Sequence, residues 1–245
     1  MAERARAWVH AAQDAVCDLI EPWAHGTVVR ATRYPTYWDF NVVRVEEDPK
    51  LSVDALAAFA DEALAGLAHR RVDLECAAAA ESLRPGFKDL GWRTTRLVWM
   101  HHEGPAPPGP AIPVEPVPYE AVHDLRVAWH GEDFPGNALG EHLVHAREVA
   151  LLRRTEVLAV LDGGSPVAFA QSASDGRSTE IEQVYVSRDH RGEGLGTALT
   201  RAAIDAAGDV EDVWIVADDE GRPKQLYSRL GFRPAWTAIE ALRLP

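Results

Sequence analysis

The stretch RDHRGEGLGTAL, residues 188 to 199, limits the fold of this chain more than any other feature of the sequence. Glycines occupy three alternate positions, Gly192, Gly194 and Gly196, between a strand pattern (TEIEQVYVS) and a helix pattern (TALTRAAIDAAG). Glycine adopts positive φ angles at little steric cost, but it loses more conformational entropy on folding than any other residue. The run therefore predicts a tight turn from strand to helix in which bare main chain approaches a neighbouring group closely.

Several glycine-rich motifs could account for such a turn. A P-loop requires a lysine directly after its last glycine, where this chain has Thr197. A dinucleotide-binding fingerprint opens the first unit of a parallel fold and ends on a third glycine, whereas this run lies late and has Thr197 at that place. Two interpretations remain: a structural turn without a ligand, or an anion site formed by backbone N–H groups at the start of a helix.

The stretch from residue 101 to 118, HHEGPAPPGPAIPVEPVP, contains seven prolines and two glycines and is typical of an extended connector. We therefore predict a first domain over 1–103, a linker over 104–115 and a second domain over 116–245. Upstream, the patterns predict a helix that ends at Pro22, a strand, a capped helix from Ser52, a strand, a helix bent or broken at Pro85, and a strand. Downstream they predict two helices, a hairpin turned at Gly163 and Gly164, and then strand, helix, strand, helix, strand.

The two halves resemble each other in this order, which predicts an internal duplication. Leu90-Gly91-Trp92 aligns with Leu230-Gly231-Phe232 near the ends of the halves. Where the second half has RGEGLGTAL, the first has PKLSVDALA, without a glycine. If the halves are related, only the second retains the glycine site.

Composition excludes several classes of function. The chain has 245 residues, 47% of them apolar, and a formal net charge of −13. That charge argues against a nucleic-acid partner, because phosphate binding requires clustered Lys and Arg. No apolar run approaches the roughly 20 residues of a membrane-spanning helix, and charges interrupt the N-terminal segment, unlike a signal peptide. Cys17 and Cys76 match neither a disulfide framework nor a metal motif, so we expect a soluble cytoplasmic protein without a metal site.

Arg191-x-x-Gly194-x-Gly196 resembles the R/Q-x-x-G-x-G/A signature of the GNAT superfamily of acyl-CoA-dependent N-acyltransferases. The resemblance covers roughly residues 116 to 245 and implies acetyl-CoA as cosubstrate. It also implies an α+β fold in α/β/α layers, with mixed, mostly antiparallel sheets flanked by helices. With the duplication, this becomes a tandem GNAT-like fold whose N-terminal half is degenerate.

The resemblance also assigns residues to the coenzyme. The loop and helix start would bind its pyrophosphate through Arg191, Gly192, Glu193, Gly194, Leu195, Gly196 and Thr197. The splayed fourth strand of the family would bind the pantetheine arm through Val184, Tyr185 and Val186. The sequence departs from the family at Glu220 and Pro223, since many relatives have Asn and Ala there. Glu220 is included among the coenzyme-binding positions because it replaces that Asn, although the change removes one expected polar contact with the coenzyme.

Candidate catalytic residues follow from the chemistry of amine attack on a thioester. Glu180 and Glu182 lie two apart on a strand, so both point to one face, and either carboxylate could remove an ammonium proton through a water. The alternative is a solvated strand face, or two carboxylates that bind a cationic substrate. The resemblance implies that the backbone N–H of Val184 stabilises the oxyanion. Tyr227 is the candidate acid that protonates the leaving thiolate, or else a core tyrosine.

The expected function is direct acetyl transfer to a primary amine of a small molecule or peptide, with no membrane or nucleic-acid partner. The segment WHGEDFPG, residues 129 to 136, is expected to join the two early helices and to shape the acceptor pocket. An inactive acyl-CoA sensor or partner-binding module is the alternative, and a homodimer is the alternative to a monomer.

Overall fold

A computed structural model describes residues 1–109, 111–134 and 139–245. They form two compact units. The first consists of Met1–Trp99, Asp218–Glu220 and Ala235–Pro245, and the second of Met100–Ala217 and Gly221–Pro234. The chain thus passes from the first unit to the second within one strand, and its last residues return to the first.

The first unit is built on a mixed sheet. Its elements are α1 (Ala2–Asp14), β1 (Leu19–Trp23), β2 (Gly26–Arg30), β3 (Asn41–Val45), α2 (Val53–Ala63), β4 (Arg70–Leu74), α3 (Ala77–Asp89) and the start of β5 (Arg93–His102). Strands β1, β2 and β3 are successively antiparallel, and α2 crosses over to β4, which runs parallel to β3. Val43 and Val45 pack against α2 and α3. Arg44, between them, faces α1 and donates from Nε to Gln13 Oε1 at 2.7 Å.

The second unit repeats this topology. Its elements are β6 (Glu115–Pro116), α4 (His123–Asp133), α5 (Gly140–Leu152), β7 (Glu156–Asp162), β8 (Ser165–Ser174), β9 (Ser178–Val186), α6 (Leu195–Ala207), β10 (Asp212–Asp218), α7 (Arg222–Arg229) and the start of β11 (Phe232–Arg243). Strands β7, β8 and β9 are successively antiparallel, and α6 crosses over to β10, which runs parallel to β9.

Helices cover both faces of the sheet in the second unit. Phe169 and Tyr185 on one face pack with Leu125 of α4, whereas Ala168 and Ala170 on the other pack with α6. This alternation along β8 produces three layers, as expected for a strand buried on both sides. The predicted α+β class, with mixed, mostly antiparallel pairing and flanking helices, is confirmed.

The predicted repeat is visible at the ends of corresponding helices. Gly91 follows α3 and Gly231 follows α7, with φ angles of +80° and +100°. The next residues, Trp92 and Phe232, are 3% and 0% exposed. Each LG-aromatic triplet therefore ends a helix on a left-handed residue and returns an aromatic ring to the core.

The last strand of each half does not stay wholly with its own half. Residues 235–245 are grouped with the first unit, where Ile239 pairs with Leu74 in an antiparallel β4–β11 ladder. Conversely, Met100–His102 of β5 are grouped with the second unit. The predicted boundary places 116–245 in one domain, and the alternation of apolar and polar residues along β11 does not indicate which strands it pairs with.

Two local predictions were wrong, and one of the two alternatives at Pro85 is excluded. Helix α1 ends at Asp14 instead of Pro22, and Leu19–Trp23 form a strand that pairs with β2. Helix α3 is one helix from Ala77 to Asp89, so it is not broken at Pro85. His130 lies within α4 instead of a loop, whereas Pro135 and Gly136 of the predicted acceptor loop lie outside the described residues.

Candidate functional site

The glycine loop leads directly into α6. Gly192 and Gly194 have φ angles of +89° and +86°, and Gly194 is the N-cap residue of a helix that begins at Leu195. The first N–H groups of a helix have no acceptor within the helix, and a glycine N-cap offers no side chain to accept from them. A Cβ atom added to Gly192 would meet nothing within 4 Å, so the space above the loop is open. These groups can bind an anion.

The loop lies beside β9 and α7. A Cβ atom at Gly196 would lie 3.6 Å from Leu226 Cδ1 and 3.8 Å from Val186 Cγ2. The side chain of Leu195 is buried, Thr197 is half-buried and Glu193 is exposed. The loop, the end of β9 and the helix that carries Tyr227 therefore meet in one place.

Strands β9 and β10 part next to this loop. Their ladder runs from the pair Asp212 and Ser178 to the pair Ile215 and Ile181, although β9 continues to Val186 and β10 to Asp218. In the described part of the chain, the edge of β9 beyond Ile181 thus has no ladder with β10. Its backbone groups can hydrogen-bond an extended ligand that lies between the strands.

A bulge in β9 accompanies the parting. Two register steps from Phe169 to Gln171 on β8 match three from Tyr185 to Glu182 on β9. Gln183, within the bulge, has a φ angle of +53°, which is uncommon for a residue with a side chain. Its Oε1 accepts a hydrogen bond from Nη1 of Arg126, a 4% exposed residue of α4. That part-buried hydrogen bond helps to hold the strained conformation.

The predicted pantetheine residues occupy this bulged segment. The side chains of Val184 and Val186 pack against α6, and that of Tyr185 packs on the α4 face. Only their backbone is therefore placed to meet a ligand between the strands.

Glu180 and Glu182 share one face of β9, as predicted, and a single arginine bridges them. Arg153, at the C-cap of α5, donates from Nη1 to Glu182 Oε1 at 2.8 Å, and its Nη2 lies 3.7 Å from Glu180 Oε2. All three side chains are 12 to 15% exposed. The cross-strand neighbour of Glu182 is Gln171, which is 3% exposed and whose Oε1 has no hydrogen-bond partner among the described residues.

Tyr227 lies on α7, 7% exposed, with its ring centroid 6.2 Å from that of Phe232. Burial raises the pKa of its hydroxyl to about 12. The side chain therefore remains a proton donor throughout the neutral pH range.

Arg191 makes hydrogen bonds to two groups of its own unit. Its Nε donates to the carbonyl of Val186 at 3.1 Å, and its Nη2 donates to Glu132 Oε2 at 2.6 Å.

Glu220 is grouped with the first unit, and its two oxygens accept from Arg84 at 2.8 and 2.9 Å. These bonds lower the pKa of Glu220 to about 2. Its predicted role in coenzyme binding stays a prediction.

The corresponding place in the first unit is closed. Ser52 caps α2 by accepting from the N–H of Ala55 at 3.2 Å. Strands β3 and β4 do not part, since the N–H of Glu75 still donates to the carbonyl of Val45 at 2.9 Å. A capped helix and a strand edge that stays paired offer fewer backbone groups to a coenzyme than the open loop of the second unit.

Two further findings concern the described residues. None of their helices is both long and apolar enough to span a membrane. Within the same part of the chain, no three His, Cys, Asp or Glu side chains are grouped so that they could bind a metal ion.

The second unit is thus a three-layer α/β domain with an uncapped, glycine-led helix start beside a parted strand pair. Its sequence matches the model of the acetyltransferase (GNAT) family over residues 119–232. This segment belongs to the GNAT superfamily of acetyltransferases.

Solved structures share the fold. A conserved protein of unknown function from Staphylococcus epidermidis superposes with a TM-score of 0.74 at 14% identity, over 93% of this chain and 94% of that one. A GCN5-related N-acetyltransferase from Kribbella flavida has a TM-score of 0.60 at 18% identity, over 98% and 95% of the two chains. A GCN5-related N-acetyltransferase from Sphaerobacter thermophilus has a TM-score of 0.54 at 17% identity, over 78% and 67%. No curated protein matches the chain in sequence.

Proposed function

We propose that the chain is an acetyl-CoA-dependent N-acetyltransferase that transfers the acetyl group directly to a primary amine of a small molecule or peptide. One observation carries the proposal: the glycine-led start of α6 lies beside the end of β9, where β9 and β10 part. This arrangement occurs within the GNAT-family segment. The first unit has a capped helix and paired strands at the corresponding place.

The residues present fit such a coenzyme. Backbone N–H groups from Gly194 to Thr197 would bind the pyrophosphate, because helix N-termini and left-handed glycines favour anions. The unpaired edge of β9 at Val184–Val186 would hydrogen-bond the pantetheine amides. When bound, acetyl-CoA supplies the thioester carbonyl that an amine attacks.

The chain's own groups would then move the protons. Glu180 or Glu182 takes a proton from the ammonium through a water, and the neutral nitrogen can then form the C–N bond. The backbone N–H of Val184 donates to the carbonyl oxygen as it gains charge. Tyr227 gives its proton to the sulfur as the C–S bond breaks, and the second proton that the nitrogen loses on becoming an amide returns through water to the tyrosinate. Oε1 of Gln171 is available to accept from an N–H or O–H group of the acceptor.

A turnover assay tests the proposal. Purified protein is incubated with acetyl-CoA and a panel of primary amines (an aminoglycoside, a polyamine, an amino acid and a peptide), while free thiol is measured. Amine-dependent thiol release with an acetylated product supports transfer. Tight binding of acetyl-CoA without release to any amine supports the sensor instead, and a chain that does not bind acetyl-CoA contradicts both.

A further inference from the structure

Glu132, in the last turn of α4, makes contacts that the proposed chemistry does not use. Its Oε2 accepts from Arg191 Nη2 at 2.6 Å. Its Oε1 accepts from the hydroxyl of Tyr185 at 2.8 Å and lies 3.1 Å from Nε of Arg188. The side chain of Glu132 is 19% exposed, whereas those of Arg188 and Arg191 are 71% and 49% exposed.

Each partner belongs to the coenzyme side of the site. Tyr185 lies in the bulged end of β9, Arg188 lies in the short helical turn after it, and Arg191 begins the glycine loop. Arg191 also donates from Nε to the carbonyl of Val186 at 3.1 Å. A single carboxylate therefore connects α4 to both the end of β9 and the start of the loop.

Two hydrogen bonds set the orientation of the Arg191 side chain. The bond from Nε to Val186 directs the guanidinium back over the strand end and toward α4. The hydrogen bonds of Arg191 fix the first residue of the loop, whereas Gly192 and Gly194 have no side chains that could make such bonds. One carboxylate faces two guanidinium groups here, so the cluster keeps a net positive charge next to an anion site.

We propose that Glu132 is a positioning residue for the coenzyme loop, which holds Arg191 against β9 so that the loop N–H groups stay aligned for the pyrophosphate. Its role presupposes the acetyl-CoA site proposed above. The hydrogen bond from Arg191 is also the main cause that lowers the pKa of Glu132, so the carboxylate is ionised at neutral pH.

A double-mutant cycle tests this role. Glu132→Gln, Arg191→Gln and the double variant are titrated with acetyl-CoA by calorimetry, and KM and kcat are measured with a fixed amine. Each single variant is expected to raise Kd and KM for acetyl-CoA about tenfold, the size of one lost charge-assisted bond, with kcat within about twofold of wild type. The double variant should resemble the single variants, because both remove the same link. Glu132→Asp, which keeps the charge, should recover part of the affinity.

Glu120→Gln is the matched control, because Glu120 is an exposed glutamate that accepts from Nε of Arg147 at 2.7 Å, and neither residue belongs to the glycine loop. It should leave acetyl-CoA binding unchanged. Tighter binding by Glu132→Gln would show that Glu132 competes with the coenzyme for Arg191, and unchanged binding would show that it has no role; either overturns the proposal. Additive losses in the double variant would overturn it too. A wild-type chain that does not bind acetyl-CoA contradicts the proposed function itself.

Discussion

At the scale of single residues, burial decides which groups of the proposed site can carry protons. Tyr227 is buried in α7, and burial alone raises the pKa of its hydroxyl to about 12. The group is therefore a weak acid that stays protonated at neutral pH and is present as a donor when the thiolate leaves.

We expect Tyr227→Phe to lower kcat about 100-fold while the Kd for acetyl-CoA stays within about twofold, because only the proton donor is removed. Steady-state kinetics and calorimetry on the same preparation separate the two quantities. An unchanged kcat would mean that Tyr227 only packs against Phe232.

His69, in the first unit, makes stability depend on pH. It is 1% exposed, and burial lowers its pKa from 6.5 to about 4. The unfolded chain therefore binds a proton that the folded chain does not, so stability falls as the pH falls from 6.5 toward 4, by up to roughly 3 kcal/mol. Urea unfolding at several pH values measures this slope, and His69→Asn should make it shallower. An identical slope in the variant would assign the pH dependence to other groups.

Residues that the sequence analysis missed are those whose partners are far apart along the chain. The run of glycines and the Glu180–Glu182 alternation are local patterns, so they could be recognised. Arg153 bonds a residue 29 positions away, Arg126 one 57 away and Glu132 one 59 away. No local spacing predicts such pairs, because the crossing of α4 and α5 over the sheet brings them together.

At the scale of elements, the starts of α2 and α6 correspond in the repeat but differ in capping, and the capping decides whether the helix start can bind an anion. Ser52 satisfies the start of α2 with its side chain, and Gly194 leaves the start of α6 open. Periodicity and capping rules predicted both helices. They missed the β1–β2 hairpin, because LIEPW and GTVVR are short and Pro22 is unusual in a strand.

A pair of glycine variants separates two causes of weaker coenzyme binding: a change in the loop itself and a lower stability of the fold. Gly192 and Gly164 have φ angles of +89° and +85°, and a Cβ at either would meet nothing within 4 Å. Gly192→Ala and Gly164→Ala should each lose about 1 kcal/mol of unfolding free energy through the same backbone strain. Only Gly192→Ala should also weaken acetyl-CoA binding in calorimetry. Equal affinities in the two variants would remove the loop from the site.

At the scale of the whole molecule, the repeat ends in strands whose last residues are grouped with the other unit. β5 contributes Met100–His102 to the second unit, and β11 contributes residues 235–245 to the first. The repeat itself could be predicted from the LG-aromatic triplets, since helix ends leave local signals. The strands with which β5 and β11 pair could not be predicted, because strands with the same alternation of apolar and polar residues can pair in either unit.

Because residues 235–245 are grouped with the first unit, the end of the chain is expected to stabilise that unit. Ile239 is 2% exposed in the core of the first unit, so Ile239→Ala should cost about 2 to 4 kcal/mol there. Amide hydrogen exchange should become faster in β4, which pairs with β11, and should stay slow in β8 and β9. Faster exchange confined to the second unit would contradict the assignment of β11.

We propose that acetyl-CoA binds only to the second unit, at the glycine loop and at the edge of β9 beyond Ile181. Amide hydrogen exchange of the full chain, with and without acetyl-CoA, tests it most directly. Slower exchange is predicted at residues 183–186 and 192–197, with no change at residues 50–55, which correspond to 192–197 in the first unit. Protection of 50–55, or no protection at 192–197 when acetyl-CoA is saturating, would contradict this assignment.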